Sequence, residues 1–144
     1  MPDYEYPRPA LTADAVVLRG VAGAREVLLI RRCFDPFAGC WALPGGFLDE
    51  WELAEDAARR ELAEETGVVW SGPLSLVGVF GKRDRDPRGW TVSAVYLADL
   101  GESDVVVRAG DDAGEARWFP VGALPPLAFD HDDVMAVALT HVGL

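Results

Sequence analysis

The chain is short of cysteine, of histidine and of positive charge, and each shortage removes a class of protein. Its two cysteines, Cys33 and Cys40, allow one bridge at most and form no CxxC pair, so a disulfide scaffold and a thiol redox motif are excluded. Reduced thiols in a cytoplasm are the expectation. The only histidines, His131 and His141, stand in no metal-ligand pattern and read as structural or surface residues. Acids outnumber bases 24 to 13, for a net charge of −11. A field of that sign repels a phosphate backbone, so no nucleic-acid partner is expected. Small phosphorylated substrates stay open, because a bound cation inverts the local charge. No apolar run approaches the roughly 18 residues of a membrane span, and no signal peptide is expected from the proline-bearing start. P-loop, HExxH and GxSxG patterns are all missing.

What remains is 144 residues, half of them hydrophobic, which suits one domain with a real core. Residues 1–9 read as an extended lead-in. Ala10–Arg19 and Glu26–Arg32 read as strands of a hairpin. Residues 33–40 form a loop, and Pro44-Gly45-Gly46 breaks the chain. A helix is predicted from about Leu53 to Thr66, with Gly67 at its C′ position. Strands are expected at Leu74–Gly81, Trp90–Leu100, Val105–Val107 and Ala116–Phe119, and a closing helix at Asp132–His141.

Within the first helix, Glu61, Glu64 and Glu65 are spaced i, i+3, i+4 and share one face. They repel one another and sit at the helix end whose dipole favours cations. A hard divalent cation removes both conflicts, since Mg²⁺ takes carboxylate oxygens and completes its shell with water and substrate phosphates.

The surrounding spacing is Gly46, five residues, Glu52, seven residues, Arg60-Glu61-Leu62, one residue, Glu64-Glu65, one residue, Gly67-Val68. It resembles the Nudix hydrolase box at every defined position. Further segments look like the ADP-ribose pyrophosphatase-like branch of that family. They are Pro7-Arg8-Pro9-Ala10-Leu11, Pro36-Phe37-Ala38-Gly39, Trp41-Ala42-Leu43-Pro44-Gly45-Gly46, Arg85-Asp86-Pro87-Arg88-Gly89 and Ala128-Phe129-Asp130-His131-Asp132. The resemblance covers roughly residues 7 to 135.

The resemblance implies an α/β/α sandwich around a mixed sheet, in a single domain spanning 1–144. It implies hydrolysis of a nucleoside diphosphate linked to another moiety, with ADP-ribose cleaved to AMP and a sugar phosphate. The cofactor would be Mg²⁺, with Mn²⁺ as the alternative. Glu61, Glu64, Glu65 and Gly46 would hold the metal, and Glu64, Glu61, Arg60 and Asp112 would form the catalytic set. Glu52 and Arg60 would pair to brace the loop, and Asp112 is the first choice of general base on a later loop, ahead of Asp111 and Glu115. Substrate contacts are expected from Arg31, Phe37, Trp41, Gly45, Gly46, Trp51, Arg83 and Arg85. Strand alternation allows only one of Arg31 and Arg32 to face the site. Relatives in this branch are often dimers, so a homodimer is expected. Two departures stand out: Arg83 where such members often carry a proline, and Trp51 where relatives often carry glycine. The competing readings are a nucleoside triphosphate pyrophosphohydrolase and a non-catalytic nucleotide sensor. Intact box glutamates and the acidic charge argue against the sensor.

Overall fold

Alternation along the first long apolar run decides the layers of the fold. In a strand, successive side chains point to opposite faces. In β1 (Ala10–Arg19), Ala15 and Val17 join Leu28, Leu62 and Val68 in one buried cluster. Val16 and Leu18 join Val27, Leu29, Val134, Met135 and Ala138 in another. The first cluster contains a residue of α1 (Ala54–Thr66) and the second contains three of α2 (His131–His141). One helix therefore covers each face of the sheet, and the expected α/β/α sandwich is present. This computed structural model describes residues 4–110 and 113–143. No helix among them is long and apolar enough to cross a membrane.

The remaining strands are β2 (Glu26–Arg32), β3 (Trp41–Ala42), β4 (Gly45–Phe47), β5 (Ser75–Phe80), β6 (Thr91–Asp99) and β7 (Ala113–Pro120). The sheet is mixed. β1 runs parallel to β6 from Ala10↔Thr91 to Leu18↔Asp99, while β5 is antiparallel to β6 and β7 antiparallel to β2. The other edge of β1 is divided. It meets β2 only at Leu18 and Arg19, and it meets β4 at Thr12, Ala13 and Asp14. β2 is divided in the same way, pairing with β3 at Ile30 and Arg31. The segment from Trp41 to Phe47 is therefore wedged between β1 and β2. The expected hairpin exists, but its strands part after two residue pairs, and a cleft opens in the gap.

Three sequence expectations need correction. Pro44-Gly45-Gly46 does not end the ladder, because Gly45 and Gly46 pair with Asp14 and Ala13. Glycine is required at Gly45, where a Cβ would lie 1.8 Å from Asp14 Oδ1 and 2.6 Å from the Ala13 carbonyl oxygen. Val105–Val107 forms no strand. Val105 and Val107 pack on the α1 side of the core, and the adjoining backbone caps the helix instead. There the Arg108 N–H donates to Thr66 O at 2.9 Å and the Gly110 N–H to Glu65 O at 3.2 Å. These bonds satisfy carbonyls that a helix C-terminus leaves without partners. The last strand also begins earlier than Ala116, at Ala113.

Candidate active site

The cleft has a volume of about 380 Å³, within the range of small-molecule sites. Thr12 and Asp14 line it from β1 and Ser93 from β6. Thr12 and Asp14 share the face of Val16 and Leu18, so the polar end of that face forms the floor. Helix α1 contributes Glu61 and Glu65, one turn apart, and Gly45 and Gly46 lie against them. The Gly45 N–H donates to Glu65 Oε1 at 2.8 Å. A Cβ at Gly46 would stand 2.7 Å from the Glu61 carboxyl. Backbone and carboxylates can approach this closely only because both positions lack side chains.

Arg60 braces this arrangement. Its Nε and Nη2 donate to the two carboxylate oxygens of Glu52, both at 2.9 Å. Its Nη1 donates to Glu61 Oε1 at 2.8 Å and to Glu64 Oε2 at 3.2 Å, and its Nη2 also reaches Phe47 O. The loop before α1 is thus tied to the helix through one guanidinium. Hydrogen bonds from Arg60 and from the Asp49 N–H push the Glu52 pKa down to about 2. The Arg60 pKa is raised in turn, first by its bond to Glu52.

The buried acids behave in the opposite way. Burial pushes Glu65 up to about 8, against the pull of the Gly45 N–H and with help from the charges of Glu61 and Asp14. Asp14 is pushed up to about 7, again by burial first, while Arg85 and Ser93 pull it down. Glu61 is raised by burial against the pull of Arg60. Three carboxyls in one cleft resist joint ionisation, and a nearby cation relieves them.

Across the cleft, Arg85 is almost wholly buried. Its guanidinium donates to Asp130 at 2.9 and 2.6 Å and to Ser93 Oγ at 2.7 Å. Arg88 is held by Asp86 and lies 4.9 Å from the Phe47 ring centroid and 5.6 Å from that of Phe129. Arg32 also lies over the Phe129 ring, 5.0 Å from its centroid.

Of the expected site residues, the cleft gathers Gly45, Gly46, Glu61, Glu65 and Arg85. Glu64 sits beside Arg60, outside the lining and partly exposed. Between Arg31 and Arg32, it is Arg32 that faces the cleft, and Arg31 is exposed, with Nε 3.4 Å from Gly39 O. Phe37 touches the cleft only through Phe129, with ring centroids 4.8 Å apart. Trp41 packs edge-on to Phe119 and belongs to the core on the α2 side. Trp51 is 94% exposed and Arg83 stands in a separate pocket of about 700 Å³ with Lys82 and Trp90. Asp111 and Asp112 lie outside the described residues. Sequence reasoning passed over Asp14 and Ser93, read His131 as structural or surface, left Arg32 as the alternative to Arg31, and quoted Arg88 without placing it among the substrate contacts. Asp14 carried a signal, a lone acid in an apolar strand, which burial makes costly without a purpose.

Among the described residues, no three His, Cys, Asp or Glu side chains already stand as a metal shell. Arg60 occupies Glu61 and Glu64 in this arrangement. The donor set still fits a hard divalent cation, being carboxylates on one helix face beside side-chain-free backbone.

Comparison with known proteins agrees with this geometry. The model of the NUDIX domain matches residues 9–138. The chain is 42% identical to an ADP-ribose pyrophosphatase of Methanocaldococcus jannaschii over 130 residues, 90% of this chain and 73% of that one. A MutT/nudix family protein from Enterococcus faecalis superposes with a TM-score of 0.87 at 38% identity, covering 99% of this chain and 65% of that one. The NUDIX domain of Shewanella oneidensis NrtR, solved with ADP ribose, gives a TM-score of 0.86 at 33% identity, covering 95% and 90%. The chain belongs to the Nudix family, as one of its pyrophosphohydrolases.

Proposed function

We propose that the protein hydrolyses ADP-ribose to AMP and ribose 5-phosphate with Mg²⁺, or Mn²⁺ in its place. The observation that carries this reading is the crowding of Asp14, Glu61 and Glu65 against Gly45 and Gly46 at one end of the cleft. Likeness to the M. jannaschii pyrophosphatase and to an ADP-ribose-bound NUDIX domain supports the choice of substrate.

Glu61, Glu64 and Glu65, with the backbone of Gly46, would hold the divalent cation. When bound, it neutralises the diphosphate's charge and acidifies water. The oxygen of water joins one phosphorus, the bridging P–O bond breaks, and the bridging oxygen leaves on the other phosphate. The water's proton passes to a carboxylate, either Glu64 or Asp112. Arg60, anchored to Glu52, fixes the carboxylates of Glu61 and Glu64 beside the cleft. Arg32 and Arg88 face the substrate's remaining negative charge, and Phe47 and Phe129 offer apolar surface to its planar and sugar parts.

Chromatography of products from ADP-ribose, NADH, nucleotide sugars and nucleoside triphosphates tests this. AMP from ADP-ribose, lost in Glu61→Gln and Glu65→Gln, is the expected result. Preferred turnover of triphosphates overturns the substrate. Tight ADP-ribose binding without turnover of any compound identifies a sensor instead.

A further inference from the structure

His131 opens α2 and is 5% exposed, yet it lines the cleft. The backbone N–H of Leu43 donates to its Nδ1 at 3.0 Å. An imidazole that accepts at Nδ1 and is neutral carries its proton on Nε2. Burial keeps this ring neutral by pulling its pKa down to about 4. The tautomer is therefore fixed by the fold, with an N–H donor on the far side of the ring. Among the described residues that donor has no protein acceptor. Among the described residues the only sealed side-chain nitrogen or oxygen without a partner is Trp118 Nε1, so solvent in the cleft reaches His131 Nε2. A histidine used only to accept from Leu43 has no need of cleft access.

Its neighbours hold it rigidly. Phe129 packs on it with ring centroids 5.4 Å apart, and the adjacent Asp130 is locked to Arg85. Leu43 stands two residues before Gly45, whose N–H binds Glu65. The ring is thus anchored to backbone two residues from the N–H that holds Glu65, beside the acidic end of the cleft, where a diphosphate would lie.

We propose that His131 Nε2–H is a substrate-binding donor that takes a non-bridging oxygen of the diphosphate. The inference rests on the proposed pyrophosphohydrolase reading of this cleft and adds a residue to it.

The variant His131→Asn separates the two nitrogens, because asparagine keeps an acceptor near the δ position and has no ε donor. It should keep the thermal midpoint of the wild type at pH 7.5 and raise KM for ADP-ribose about 10-fold, a larger change than in kcat. The ¹⁵N resonance of His131 Nε2 in the wild type should shift on adding ADP-ribose without metal. A wild-type KM in His131→Asn, or an unmoved Nε2 resonance at saturating ADP-ribose, overturns the proposal. If His131→Asn does not fold, the resonance alone decides. If the wild type neither binds nor turns over ADP-ribose, the substrate assignment fails. The same titration with whichever nucleotide it does hydrolyse then decides for His131.

Discussion

Arg85 and Asp130 face each other as a two-pronged ion pair, 45 residues apart in sequence and almost shut off from solvent. The pair ties the turn between β5 and β6 to the start of α2. It also closes one side of the cleft, since Arg85 reaches Ser93 and Ser93 lies 2.5 Å from Thr12. Removing one partner leaves a buried charge without compensation, which is far worse than removing both. Asp130→Asn should lower stability by about 3 kcal/mol in chemical denaturation. The double variant Arg85→Met with Asp130→Leu should lose less than the sum of the two single changes.

Glu52 has no place in the cleft lining but holds the guanidinium that holds Glu61 and Glu64. Partners one layer behind metal ligands are typically worth about 10–100-fold in affinity or activity. Glu52→Gln should reduce kcat/KM for ADP-ribose within that range. Metal titration should show the half-saturating Mg²⁺ concentration rising, with the fold intact by circular dichroism.

The buried titratable groups pull stability in opposite directions with pH. His131 has a pKa of about 4 when folded, lowered by burial against the charge of Asp130, and about 6.5 when unfolded. Between these values the unfolded chain binds more protons. The His131 contribution is complete above pH 6.5 and shrinks as pH falls toward 4. Glu65 and Asp14, raised to about 8 and about 7, contribute stability that is complete below about pH 4 and lost as pH rises through those values. Calorimetry without metal should show the midpoint of wild type minus His131→Asn falling from pH 7 to pH 4.5. The midpoint of Glu65→Gln minus wild type should grow from pH 6 to pH 9.

Trp51 has φ 64°, in the left-handed region, and its side chain is almost entirely in solvent. It carries the strain of that backbone without packing to offset it. Trp51→Gly should stabilise the protein by about 0.5–1 kcal/mol after the extra freedom glycine gives the unfolded chain. KM for ADP-ribose should not change, because Trp51 is absent from the cleft lining. A raised KM would restore Trp51 as a substrate contact.

The layers and the acidic helix were legible because their signals are periodic. Apolar alternation gives the two faces of β1, and i, i+4 spacing puts Glu61 and Glu65 on one side of α1. Phase was less legible than period. Alternation says that Arg31 and Arg32 point apart, but only the pairing of β2 with β3 and β7 tells which faces the cleft. β4 was hidden because Pro44-Gly45-Gly46 has the composition of a turn, and its reason for pairing lies in Asp14, about thirty positions earlier. Val105–Val107 has strand composition but forms no strand and packs its valines on the α1 side of the core, a case of tertiary contact overriding local preference. His131 was read as structural because a lone histidine gives no sign of its partners. The Leu43 N–H that fixes its tautomer is 88 residues away.

The parallel pairing of β1 with β6 also governs when the protein can become itself during synthesis. Ala10 must wait for Thr91, and Leu18 for Asp99. A growing chain that has just delivered α1 from the ribosome holds a helix with crowded carboxylates and a central strand whose longest partner does not yet exist. Such nonlocal closure is slow and leaves apolar edges open meanwhile. Val16, Val17 and Leu18, fully buried in the finished fold, lie in the strand that must wait, so the stretch that later anchors both layers is among those a chaperone would meet.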